Sequence, residues 1–165
     1  QLIARMSKKA SEDVVFTAGL LHDIGKVALS VWLENKTSAI VQHAELAQVS
    51  FDVAERRILG YDHCEVGEHL GRQWNLPDEI VAAVRWHHDP DQCQPSSNIV
   101  DCVHLGNFLT MAMGFGLGGD GLHYSVCENS FVRLGLQPDA LDQITDQFVT
   151  GYEEYEKLFE DLSAA

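Results

Sequence analysis

Apolar residues recur every three or four positions along most of this chain, and no convincing run of them alternates with polar ones. The first spacing paints a stripe down a helix, whereas strands need the second. The chain is therefore expected to be all-α, a single helical domain over residues 1–165 with about seven to nine helices. That length suffices to bury a real core.

Segments Leu2 to Ala10 and Glu12 to Leu29 carry apolar residues at helical spacing, with Val15, Ala18 and Leu21 to His22 along one stripe and Phe16 and Leu20 close to it. Ile40 to Leu59 is one broken helix or two successive ones. Asp62 followed by Glu65 is a capping box, and His63, Val66, Leu70 and Trp74 then recur along one face, which turns His63 inward. Asn75-Leu76-Pro77 stops one helix and starts the next, which carries Ile80, Val84 and His87 or His88 inward. Pro90 to Ser97 is a loop, and a helix capped by Ser97 or Asn98 runs to about Met113. A short helix around Cys127 to Leu134 follows, and Pro138-Asp139 opens the last helix. There Leu141, Ile144, Phe148, Tyr152, Tyr155, Phe159 and Leu162 are spaced almost as heptads, which serves either a core stripe or the seam of a homodimer or relay helix.

With 11 Lys and Arg against 25 Asp and Glu, the formal charge is −14. A field of that sign repels phosphate backbones and anionic lipid, so neither nucleic acid nor a membrane is expected as partner. No stretch approaches the roughly 20 apolar residues of a membrane span. The four cysteines form no CxxC pair, as reduced thiols of a cytoplasmic protein would not. The chain begins on Gln1 rather than Met and lacks a signal pattern, so a fragment of a longer protein is expected.

Three clusters carry chemistry. In Leu20-Leu21-His22-Asp23-Ile24-Gly25-Lys26, adjacent His and Asp diverge by about 100° on a regular helix. They can meet one metal only near an irregularity, which Gly25 could supply; otherwise they are a surface pair. In Gly60-Tyr61-Asp62-His63-Cys64-Glu65-Val66-Gly67, His63 is a core histidine or a ligand, and Gly67 lets another helix approach. In Arg85-Trp86-His87-His88-Asp89-Pro90, two histidines either complement a helix C-terminus or bind an ion.

Taken in order, His-Asp-x-Gly-Lys, Asp-His-x-x-Val-Gly and His-His resemble the HD superfamily of helical metal-dependent phosphohydrolases. Phe16-Thr17-Ala18-Gly19-Leu20-Leu21-His22-Asp23-Ile24-Gly25-Lys26 is most similar to its HD-related output domain (HDOD) branch. So are Glu55-x-x-x-Leu59-Gly60-x-Asp62-His63, Trp74-x-Leu76-Pro77 and Val103-His104-Leu105-Gly106-Asn107. The resemblance implies that His22 and Asp23 are metal ligands, with Asp23 able to bridge two ions. His63, His87 and His88 match the added ligands of the two- and three-metal members, among them the HD-GYP phosphodiesterases of cyclic di-GMP. Lys26 matches the lysine that contacts phosphate or metal-bound water, so Asp23 and Lys26 are the candidate catalytic pair. One or two divalent ions of iron, manganese or zinc suit such donors.

Against the same pattern, the closing Asp falls on Asn107, a candidate metal ligand through its carbonyl oxygen that brings no charge, and the opening His would lie upstream of Gln1. Asp101, six residues before Asn107 on the same helix, cannot take its place. The resemblance thus implies a bacterial signal-transduction output or relay module, non-catalytic, that works with other signalling domains or proteins. The alternatives are a phosphohydrolase of cyclic di-GMP or another phosphoester, and a metal-sensing or oxygen-sensing role. Four other features carry less. Gly114, Gly116 and Gly119 satisfy GxGxxG but close a helix rather than open one. His104 and His123 lack partners at ligand spacing, Cys64 and Cys102 are set aside as zinc ligands, and His43 and His69 read as solvated.

Overall fold

The structure, a computed structural model, describes residues 1–31, 36–114, 123–137 and 139–163, and among them every regular element is helical. None of these helices is long and apolar enough to cross a membrane. In chain order they are α1 (Leu2–Ser7), α2 (Glu12–Leu21), α3 (Ile24–Ser30), α4 (Thr37–Ala47), α5 (Phe51–Leu59), α6 (His63–Gln73), α7 (Asp78–Trp86), α8 (Asn98–Ala112), α9 (Glu128–Leu134) and α10 (Ala140–Ser163). A single 3-10 turn, Pro90–Gln92, joins α7 to α8.

The expected helix from Glu12 to Leu29 is two helices, α2 and α3, parted by a turn at His22 and Asp23. Residues 40–59 likewise divide, α4 ending on Gln48 in the left-handed region. Gly60, at φ 87°, closes α5 in a conformation that side chains with a Cβ rarely adopt. That turn lets α6 begin at once, and Asp62 caps it through the expected box. Asp62 Oδ1 accepts from the Glu65 N–H at 2.8 Å, and Glu65 Oε2 accepts from the Asp62 N–H at 3.2 Å. Arg56 also holds the Asp62 carboxylate.

Three clusters of side chains form the core. Ile3, Ala4, Val15, Leu105, Leu134 and Ile144 join α1, α2, α8, α9 and α10. Ala18, Ile80, Ala83, Val100 and Val103 join α2, α7 and α8, while Leu29, Ile40, Ala44 and Ala54 join α3, α4 and α5. Ile144 confirms that the last helix buries part of its stripe. Tyr152 of that stripe is exposed, and the side chains of Tyr155, Phe159 and Leu162 lie outside those described, as do Pro138 and most of the glycine stretch after Gly114. Phe16, Leu20 and Trp74 face solvent, not the stripes they continue in sequence.

What positions the site is the crossing of α3, α6 and α7. A Cβ on Gly25 would lie 1.8 Å from the His63 carbonyl oxygen, and one on Gly67 would lie 2.5 Å from Val84 Cγ1. Only glycine permits these approaches. They bring the turn before α3, the start of α6 and the end of α7 to one place.

Candidate metal centre

His22 and Asp23 occupy the turn between α2 and α3, where Asp23 leaves helical geometry at φ −99° and ψ 15°. The irregularity that lets neighbours share one target is therefore this turn, and Gly25 serves the helix crossing instead. His63 opens α6 and is fully buried, while His87 and His88 follow the last turn of α7. The structure brings His22, Asp23, His63, His87 and His88 together.

The hydrogen bonds fix which ring nitrogens are available. His63 Nδ1 is 2.5 Å from Glu55 Oε2, His87 Nδ1 is 3.0 Å from the Val84 carbonyl, and His22 Nδ1 is 2.7 Å from the Gly19 carbonyl. Each of these oxygens only accepts, so each Nδ1 carries its proton and each Nε2 presents a bare lone pair in the neutral ring. All three lone pairs converge on one carboxylate. His63 Nε2 and His87 Nε2 lie 3.4 and 3.5 Å from Asp23 Oδ1, and His22 Nε2 lies 3.4 Å from Asp23 Oδ2. His63 Nε2 is also 3.1 Å from His88 Nε2. Among the described residues, Asp23 Oδ1 and His22 Nε2 are buried with no hydrogen-bond partner.

Lone pairs facing an anion require a cation between them, either a proton or a metal ion. Burial argues against the proton: it pushes His87 down to about 4, although the neighbouring Asp23 acts in the opposite direction. His88 falls well below its usual range for the same reason, reinforced by the His87 and His63 charges. Burial also opposes the Asp23 carboxylate, but the groups packed around it, Lys26 among them, outweigh burial and hold it well below the carboxylate range. The spacing suits an ion as well. Ligands about 2.0–2.2 Å from a tetrahedral metal stand roughly 3.3–3.6 Å apart, close to the separations found here. The residues present thus fit a divalent metal.

Around this group, Glu55 is itself buried and accepts a second bond, 2.9 Å, from the His63 backbone N–H. Such outer contacts fix ring orientation and raise ligand basicity. Lys26 Nζ lies 2.9 Å from Asp23 Oδ2. Tyr124 stacks on His88, with ring centroids 4.5 Å apart and planes at 15°. A cavity of about 360 Å³ opens beside His88 and is lined by Asp52, Asp89, Asp91 and His123, with Arg133 Nη1 2.7 Å from Asp91 Oδ1.

Asn107 is placed differently. Its side chain makes no hydrogen bond or ion pair with this group among the described residues. It lines a largely apolar cavity of about 280 Å³ on which His22 also borders. Asp101 is committed elsewhere, accepting from Arg133 Nε at 2.8 Å and Ser130 Oγ at 2.6 Å in a buried pin between α8 and α9.

A model of the HDOD domain matches residues 1–90, more than half of the chain. The chain belongs to the HDOD family. Over 94 residues, 54% of this chain and 18% of its relative, it is 24% identical to an uncharacterized protein of Treponema pallidum (strain Nichols). Among solved structures, a Marinobacter aquaeolei VT8 protein named for signal transduction superposes with TM-score 0.75 at 20% identity, over 94% of this chain and 35% of that one. A Shewanella amazonensis SB2B protein named for phosphohydrolase activity gives 0.63 at 18% identity, over 87% and 53%. An HDOD domain protein of unknown function from Geobacter sulfurreducens gives 0.58 at 24% identity, over 99% and 58%. At such identities these likenesses establish the fold. The HDOD chain spans between 18% and 58% of the lengths of these relatives.

Three residues of this HDOD centre have no part in it assigned from sequence. Glu55 precedes His63 by eight residues across the Gly60 turn, so no helical period links them. Cys64, set aside above, is buried with Sγ 4.0 Å from both ring nitrogens of His87. Burial pushes its thiol up, so it is protonated without an ion. His104, with no partner at ligand spacing, has structural ones: Nδ1 donates to the His87 carbonyl at 2.7 Å, and Nε2 accepts from the Cys127 N–H at 2.8 Å.

Proposed function

We propose that this HDOD chain is a metal-centred regulatory module of a bacterial cytoplasmic signalling protein, one that passes a conformational state to partner domains without turning over a substrate. The observation that carries it is the convergence of three bare Nε2 atoms on the Asp23 carboxylate. We assign Asp23, His63, His87 and His88 as ligands of one iron, manganese or zinc ion, with His22 and Asp23 Oδ2 able to hold a second. A bound ion supplies fixed positive charge that locks the turn before α3 to the ends of α6 and α7. The protein's own part is to hold the His22, His63 and His87 rings by their Nδ1 protons and to exclude water with Val84, Glu55 and Tyr124.

The rival reading, a phosphohydrolase, draws on Lys26 beside Asp23, where an ammonium could meet a phosphate oxygen. Two observations favour regulation. Asn107 contributes no carboxylate, and the opening beside His88 is lined by Asp52, Asp89 and Asp91, of which Asp91 is paired with Arg133, a net negative wall that disfavours a phosphoester. Elemental mass spectrometry of protein purified without chelators tests the centre. One or two equivalents of metal are expected, lost in Asp23→Ala and His63→Ala. Hydrolysis of cyclic di-GMP by the metal-loaded chain would sink the regulatory reading.

A further inference from the structure

The centre holds more donors than one ion requires, and one of them is a thiol. Cys64 is 2% exposed and follows His63 at the start of α6. Its Sγ lies within 4.8 Å of ligating nitrogens of His63, His87 and His88, and these four residues form one candidate ligand group. A second group, His22, Asp23 and His87, shares only His87 with it. With metal–sulfur and metal–nitrogen bonds of about 2.3 and 2.0 Å, sulfur and nitrogen stand roughly 3.6 Å apart on a tetrahedral ion. Cys64 Sγ is 4.0 Å from His87 Nε2 and equally 4.0 Å from His87 Nδ1, so it lies off the Nε2 lone-pair axis, and the Cys64 and His87 side chains must turn to share one ion. No other described cysteine joins either group: Cys93 Sγ is 3.3 Å from the Pro95 carbonyl, and Cys102 packs in the α1–α8 core.

We propose that Cys64 is a thiolate ligand of the centre, joining His63, His87 and His88 in a three-histidine, one-cysteine site that selects zinc, cobalt or ferrous iron over manganese and magnesium. This rests on the metal-centre reading above. On binding, the S–H bond breaks, a metal–sulfur bond forms and the proton leaves to the buffer, with no change of oxidation state. Thiolate is a soft donor, preferred by zinc and iron and poorly matched to manganese. Glu55 keeps His63 Nε2 bare for the ion.

The test is titration of the chelator-stripped chain with cobalt(II), read by absorbance. Wild type is expected to show visible d–d bands together with a near-ultraviolet sulfur-to-cobalt charge-transfer band. Cys64→Ser is expected to keep the visible bands and lose the charge-transfer band, while Cys102→Ser keeps both. In competition, Cys64→Ser should lower zinc affinity relative to manganese by at least about tenfold, the lower end of what even an outer contact contributes. Should Cys64→Ser fail to fold by circular dichroism, Cys64→Ala and the wild-type spectrum decide instead. Cobalt bound without a charge-transfer band overturns the Cys64 assignment and leaves the metal centre standing. A chain that binds no cobalt overturns both.

Discussion

Replacing Gly25 by alanine isolates how the fold assembles its centre. The added Cβ would lie 1.8 Å from the His63 carbonyl oxygen, 2.8 Å from its carbon and 2.9 Å from the Gly67 nitrogen, all backbone atoms that no rotamer change can move. Reaching the 3.0 Å floor of real Cβ contacts needs a separation of α3 from α6 by about 1.2 Å. Metal geometry tolerates about 0.2 Å, so the shift exceeds it roughly sixfold and pulls Asp23 away from His63. Overpacking typically costs about 1–3 kcal/mol, and a backbone clash belongs at or above the top of that range. Gly19 is the control: it lies within α2 with nothing within 4 Å of its Cβ position, and alanine there should stabilise by roughly 0.5–1 kcal/mol. Urea denaturation with chelator present gives the two stabilities, and elemental analysis without it gives metal content. Gly25→Ala should lose about 3 kcal/mol or more and its metal. A Gly25→Ala chain with wild-type midpoint and full metal would refute the argument that this crossing sets the centre.

Glu55→Gln should leave the chain folded but lower zinc affinity about 10- to 100-fold by calorimetric titration, since a neutral amide no longer supports the His63 Nδ1 proton as strongly. Arg133→Ala should cost about 3–5 kcal/mol in chemical denaturation, because it strands the buried Asp101 carboxylate, and Asp101→Asn in the same chain should recover part of the loss. Burial lowers His87, His88 and His104, so the unfolded chain binds more protons than the folded one below about pH 6.5. Metal-free stability should therefore fall as pH drops from about 6.5 towards 4, the value to which His87 is lowered. Urea midpoints measured at pH 7.5, 5.5 and 4.5 that do not decline would contradict it.

Local regularities made much of this protein legible in advance. The 3.6-residue period gave the all-helical class, because a helix face is written in neighbouring residues. The capping box at Asp62 and Glu65 and the stops at Gly60 and Asn75-Leu76-Pro77 are likewise local, and they set where α6 and α7 begin. His63 pointed inward for the same reason. The HDOD pattern gave the order of the candidate ligands, but order is not distance. The approach of Gly25 to the His63 backbone turned separate clusters into one group, and that contact depends on how three helices cross. The break at His22 and Asp23 was ambiguous because helix propensity there carries no stop signal, and packing decided it. Glu55, Cys64 and His104 acquired their partners only through the tertiary fold. Each partner lies eight or more residues away, beyond the reach of any helical period, so the bare Nε2 of His63 was decided by the tertiary fold, whereas those of His22 and His87 follow from carbonyls three residues back.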